Sequence, residues 1–142
     1  KKIMLSKSAV IAELSKQLSV KLNYLNTTLQ QTIDSRNSDT KSSAGDKFET
    51  SREMAQIEIS KIEKEIIKTQ QFITDLASKA SQFIITDKGA FLISIPFGKL
   101  MVKSTEVFCI SNSAPITKQL VNTEISANFE YRGVAYNILD IT

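Results

Sequence analysis

The chain of 142 residues has no histidine, no tryptophan and a single cysteine, Cys109. Each absence removes a class of chemistry. Without histidine there is no His-ligated zinc and no Ser–His or Cys–His nucleophile pair. One cysteine cannot form an internal disulfide, which favours a reducing compartment, the cytoplasm. Cys109 sits between Phe108 and Ile110, so it reads as a buried strand residue rather than a nucleophile. No apolar run approaches the roughly 20 residues of a membrane span. Lys1-Lys2-Ile3-Met4-Leu5 has the charge of a signal peptide, but Ser6, Lys7 and Glu13 interrupt any apolar segment. The chain opens on Lys1 without a methionine, as expected of a piece of a longer protein.

Charge of one sign is also scarce. The net charge is +3, and the basic excess is scattered through the first 82 residues. No basic stripe interleaved with aromatics occurs, which argues against sequence-specific DNA binding. Glycine and proline number four and two, and before residue 89 the only one of either is Gly45. Long helices are expected on both sides of it.

After Gly45, one set of positions recurs in alternating steps of four and three. It runs Phe48, Arg52, Ala55, Ile59, Ile62, Ile66, Thr69, Ile73, Leu76, Ala80. Most of these are apolar, with Glu, Lys, Gln and Ser between them, the pattern of a coiled-coil seam. The stretch before Gly45 repeats the pattern less regularly through Ile11, Leu14, Leu18, Leu22, Leu25, Leu29 and Ile33. Neither helix can bury its stripe alone, and the short connector predicts that they pack antiparallel. The connector, Ser35 to Gly45, is rich in turn and cap formers, and Asp46 followed by Glu49 has capping-box spacing. Residues 1–82 therefore read as a helical hairpin, with its tip near 36–46.

From residue 83 the period changes. Phe83-Ile84-Ile85, a turn at Asp87-Lys88-Gly89, Ala90 to Ile95, Leu100-Met101-Val102, Glu106 to Ile110, and a closing hairpin of Asn128 to Tyr131 with Val134 to Ile138 read as strands. Ala114 to Leu120 suits a short helix with Pro115 in its first turn. The expected class is α+β, with the hairpin followed over 83–142 by a small antiparallel β domain bearing one short helix.

The segment Ile110-Ser111-Asn112-Ser113-Ala114-Pro115-Ile116, the helix ending at Leu120, and Phe129-Glu130-Tyr131 through Ile138 resemble the C-terminal domain of Gre-type transcription elongation factors. The hairpin resembles the coiled coil of that family, with Phe48, Arg52 and Glu53 fitting its aromatic–x–x–x–Arg–Glu pattern. Asp39 to Thr50 resembles a divergent Gre-like group of small bacterial proteins. The resemblance implies an FKBP-like fold for the β domain and docking on bacterial RNA polymerase, with Ser113, Ala114, Pro115 and Ile116 as docking residues. It implies insertion of the tip into the secondary channel, where two family carboxylates help hold a second metal and a water that cleaves backtracked RNA.

Several positions depart from the family pattern. Lys41 and Ala44 stand where the family has its acids, Thr117 stands where its short helix has glycine, and Asn122 and Ala127 fall near other family glycines. Asp39 and Asp46 are the nearest acids, expected respectively as a turn former and as the N-cap of the second helix, or as metal-approaching residues. Modulation of elongation is therefore expected over cleavage stimulation. The chain would be a cytoplasmic, monomeric regulator rather than an enzyme, with no cofactor of its own and only indirect contact with nascent RNA. Two alternatives remain open. One is a coiled-coil adaptor. The other, an FKBP-like peptide binder, needs an aromatic-lined cleft, whereas most of the rings here are expected in the core.

Overall fold

A computed structural model describes residues 5–38 and 45–142, except for the side chains of 45–48. The class is α+β, with two long helices packed together, then a mostly antiparallel sheet and one short helix. Contacts divide the chain into two compact units: Gln17–Ile73, and Thr74–Thr142 with the residues up to Lys16.

Helix α1 spans Lys7–Ser38 and α2 spans Gly45–Ser78. The Ser6 hydroxyl starts α1 by accepting the amide of Ala9 at 3.1 Å, which satisfies one otherwise unpaired donor of the first turn. α1 continues beyond Ser35, so part of the expected connector is helical. Arg36 Nη1 donates to Gln56 Oε1 at 2.9 Å, and Lys21 Nζ lies 3.5 Å from Glu65 Oε1. Later residues of α1 thus meet earlier residues of α2, which is the antiparallel pairing expected. Both contacts are solvent-exposed or nearly so and add little stability; the seam supplies it. Leu18, Leu25, Ile59, Ile62 and Thr69 are buried, and Leu22, Leu29, Ile33 and Ile66 half-buried. Thr69 is accommodated there because its hydroxyl donates to the carbonyl of Glu65, one turn back, at 2.7 Å. Arg52 and Ala80 are exposed and fall outside the seam. Near the start of α1, Val10 is fully buried while Ile11 is only half-buried.

The sheet comprises β1 (Gln82–Thr86), β2 (Gly89–Ser94), β3 (Gly98–Val102), β4 (Thr105–Ser111), β5 (Asn128–Tyr131) and β6 (Val134–Ile141), in the order β3-β4-β2-β1-β6-β5. It is not wholly antiparallel, because β2 and β4 run parallel with Leu92 opposite Cys109. β3 lies outside β4 at the edge, and the chain turns back through Lys103-Ser104, both at positive φ, to insert β4 beside β2. Helix α3 (Pro115–Val121) begins at the proline, as expected, and its Leu120 joins Ile84, Phe91, Ile93 and Ile138 on one sheet face. The opposite face carries Phe83, Ile85, Ala90, Leu92, Val107 and Cys109, all buried. The same unit includes the helix ends, with buried Val10, Leu14 and Leu76. Burial on both faces explains why β1 and β2 read as unbroken apolar runs.

The β1–β2 turn is tied to β6. Thr86 Oγ1 donates to the Gly89 carbonyl at 2.8 Å, and the Asp87 carboxylate accepts the Asn137 amide at 2.8 Å. That backbone hydrogen bond, aided by Lys88, holds the Asp87 pKa below its ordinary 3.8. A lowered folded-state pKa means the contribution is present above 3.8 and disappears as pH falls through the folded value. Asp87→Asn is therefore expected to melt earlier than the parent at pH 7, with the gap narrowing below about pH 4. Melting curves at pH 7 and pH 3 check this; an equal gap at both would exclude the carboxylate.

Candidate functional site

The residues singled out by the sequence fall in two places. At the hairpin end, Asp39 lies outside the described residues, and so does the side chain of Asp46, whose backbone belongs to α2. Beyond them, Glu49, Arg52, Glu53 and Gln56 line a shallow depression of about 300 Å³. Lys61, Lys64 and Lys68 form an exposed ridge further along α2. Lys68 lies 5.8 Å from the Phe72 ring centroid, and Glu65 pairs across the hairpin with Lys21.

The second place is the start of α3. Ser113 and Pro115 are exposed, Ala114 and Ile116 half-buried. The segment is anchored by Thr117 Oγ1, which donates to the Ser111 carbonyl at 2.7 Å, and by the Ser111 and Ser113 hydroxyls, 3.1 Å apart. Thr117 thus has a bonding role at the start of α3. Pro115 supplies a preset φ at a helix position whose N–H needs no partner.

Ile116 opens onto a feature that sequence reasoning did not find. A hollow of about 460 Å³ is lined by Phe91, Phe108 and Tyr136, with Ile116 on one side and Tyr131, Arg132 and Val134 on the other. This volume is within the range of ligand-binding clefts. Phe91 and Phe108 are direct partners across β2 and β4, with ring centroids 5.6 Å apart. Phe129 and Tyr136 are partners across β5 and β6 and stack at 5.0 Å. β6 pairs with β1 through Ile138–Ile141 and with β5 through Val134–Asn137. Two strand spacings would separate β2 from β6 by about 9.6 Å, yet the Phe91 and Tyr136 rings meet edge-on at 5.9 Å. Side chains of β2 and β6 thus meet across the intervening β1.

Arg132 and Gly133 form the tip of that ribbon, at φ 51° and 78°. A two-residue turn of this kind needs positive φ at both positions, which suits Asn-Gly and costs an arginine roughly 1 kcal/mol. The guanidinium lies 5.3 Å from the Tyr131 ring centroid. Among the described residues no carboxylate forms an ion pair with Arg132, and no acid lines the hollow.

Cys109 is buried on the opposite sheet face, and burial pushes its thiol up to about 12. It is a packing residue with no thiolate to offer near neutrality. Among the described residues no group of three or more acidic or cysteine side chains is placed to hold a metal ion, and no helix is long and apolar enough to cross a membrane.

Fold and site together define an α+β protein that carries a long helical hairpin and an aromatic-lined hollow beside a proline-started helix. No family model, characterised protein or solved structure matches the chain.

Proposed function

We propose that this chain is a Gre-type regulator of transcription elongation, whose β unit docks on bacterial RNA polymerase and whose hairpin end enters the secondary channel. The observation that carries the reading is the antiparallel pair of helices, 32 and 34 residues long, followed by a sheet with one short proline-started helix. Each helix spans on the order of 50 Å at 1.5 Å per residue, a reach suited to probing a large enzyme. The exposed Ser113 and Pro115 with half-buried Ala114 and Ile116 supply the docking segment in this reading. Lys41 and Ala44 stand in place of the family acids, so the assigned role is modulation of elongation in the cytoplasm, without catalysis by the chain itself.

Gel filtration of the chain with polymerase from its own organism tests this. The chain is expected to co-elute with the enzyme, and Pro115→Glu to weaken co-elution roughly tenfold, the effect of losing a contact worth about 1.4 kcal/mol. Polymerase eluting free of the chain would sink the docking claim. On backtracked complexes little added RNA cleavage is expected; strong cleavage abolished by Asp39→Ala with Asp46→Ala would make the tip acids metal-approaching residues instead.

A coiled-coil adaptor is the second reading, favoured by the exposed Val20, Tyr24, Met54, Ile57 and Ile67 on the helices. It predicts a mass that rises with concentration for the chain alone, whereas the polymerase reading expects a monomer.

A further inference from the structure

We infer that the turn at 124–127 and the adjacent bulge of β6 form a docking surface for a basic, apolar peptide segment of a partner protein. The turn is closed by the Ala127 amide, which donates to the Glu124 carbonyl at 3.0 Å, and Ser126 holds φ 75° at its third position. That position of such a turn favours glycine. Two further bonds pin the turn to β6. The Ser126 amide donates to the Ile138 carbonyl at 2.8 Å, and the Ile138 amide donates to the Ala127 carbonyl at 2.9 Å. Ile125 and Leu139 lead away from this junction on adjacent stretches of backbone. On β1, Ile85 pairs with Asp140 and Thr86 with Ile138, so Leu139 is the extra residue of a bulge, without a partner across the ladder. A bulge re-aims the side chain that it carries. Ile125 is 56% exposed and Leu139 45%.

Exposed apolar residues scattered singly are ordinary on a surface. These two differ because turn and bulge fix their backbone, so binding orders little that is not already ordered. Charge then selects what covers them. Each is next in the chain to an acid, Ile125 to Glu124 and Leu139 to Asp140. Both carboxylates are exposed, with no ion pair or hydrogen bond among the described residues. Residues 121–142 hold the acids Glu124, Glu130 and Asp140 against Arg132 alone, although the whole chain carries +3. Lys118 lies in the last turn of α3, and Lys88 is already paired with Asp87. Such a surface repels the phosphates of nucleic acid and of anionic lipid, and it attracts lysine and arginine. The occupant is therefore a segment with apolar residues set between basic ones. The surface shares no residue with 113–116, so the inference goes beyond the polymerase reading, and it is tested on the chain alone.

The experiment is titration of the ¹⁵N-labelled chain with acetyl-Lys-Leu-Lys-Leu-Lys-amide, followed through amide chemical shifts. The expected result is shifts concentrated at 124–127 and 138–140, with a Kd on the order of 1 mM. Acetyl-Glu-Leu-Glu-Leu-Glu-amide should not bind measurably, and acetyl-Lys-Ser-Lys-Ser-Lys-amide should bind roughly tenfold more weakly. Glu124→Gln with Asp140→Asn removes both charges at nearly constant shape, and neither carboxylate is bonded within the fold. It should weaken the Lys-Leu peptide about fivefold, the effect of losing two exposed ion pairs. Leu139→Ser should weaken it about as much while keeping the preference for basic over acidic peptide. Four results would overturn the inference: no shifts at several times the expected Kd, shifts centred elsewhere, equal binding of the basic and acidic peptides, or full affinity in the charge variant. Shifts at the same residues on concentrating the chain without peptide would overturn it too, by making a second copy the occupant.

Discussion

Leu92→Ala is expected to cost about 2–5 kcal/mol of folding free energy in the β unit, a large share of the roughly 5–15 kcal/mol typical of a domain. Leu92 is fully buried at the middle of β2, paired with Phe83 on β1 and Cys109 on β4. Those neighbours are themselves locked in the sheet, so they cannot collapse into the space a truncated side chain leaves. The penalty therefore combines lost transfer energy with a residual cavity. Urea unfolding followed by tyrosine fluorescence reads this unit, since Tyr131 and Tyr136 belong to it and Tyr24 on α1 is already exposed. A midpoint lowered by roughly 1–3 M with an unchanged slope is the expected outcome. Met101→Ala on the exposed side of β3 is the control and should stay within about 0.5 kcal/mol. A Leu92 effect below about 1 kcal/mol would mean that this sheet face is not packed as described.

Ile62→Asp is expected to open the hairpin. Ile62 is buried in the seam of α2, at a height that falls between the Arg36–Gln56 and Lys21–Glu65 contacts. An aspartate there loses the transfer energy of isoleucine, about 2–3 kcal/mol, and must also bury or neutralise a carboxylate, which costs several kcal/mol more. Helices of this kind gain most of their stability from packing rather than from propensity, so α1 and α2 should lose structure together. Helix content by circular dichroism is a direct readout, since α1 and α2 have 32 and 34 residues against seven in α3. Most of the signal at 222 nm should disappear at pH 7, while the exposed Lys61→Glu keeps it. Full helicity in Ile62→Asp would show that the seam does not hold the pair.

Much of the secondary structure is legible locally. The four–three recurrence from Ile59 to Leu76 requires a helix with one buried stripe, and the buried residues lie on that stripe. Thr69 is also part of it, because a hydroxyl can bond back to its own helix and then needs no outside partner. The strand positions, the turns at Asp87-Lys88 and Arg132-Gly133, and the start of α3 at Pro115 are likewise set by near neighbours. Val10 is harder to read, because Val10 and Ile11 are equally apolar and only the packing of the surrounding unit decides which is buried.

The aromatic hollow was not expected, because most of the rings were assigned to the core. Phe129 and Tyr131 lie two apart on β5, as do Val134 and Tyr136 on β6, so alternation alone puts all four on one face of the closing hairpin. The sequence does not say that this face meets Phe91 and shares a hollow with Phe108, which lie 38 and 21 residues before Phe129. Nor does it say that the Arg132 guanidinium lies 5.3 Å from the Tyr131 ring centroid.

From sequence alone follow two long helices that must pair, six strands with their turns, a proline-started helix and a lone inert cysteine. These rest on periodicity, and periodicity is a property of residues a few positions apart. Tertiary structure alone decided the parallel pairing of β2 with β4, the burial of both sheet faces and the meeting of rings from β2, β4, β5 and β6. Those outcomes depend on contacts between distant segments, where many pairings satisfy the same local pattern and only the packing of the whole unit selects one.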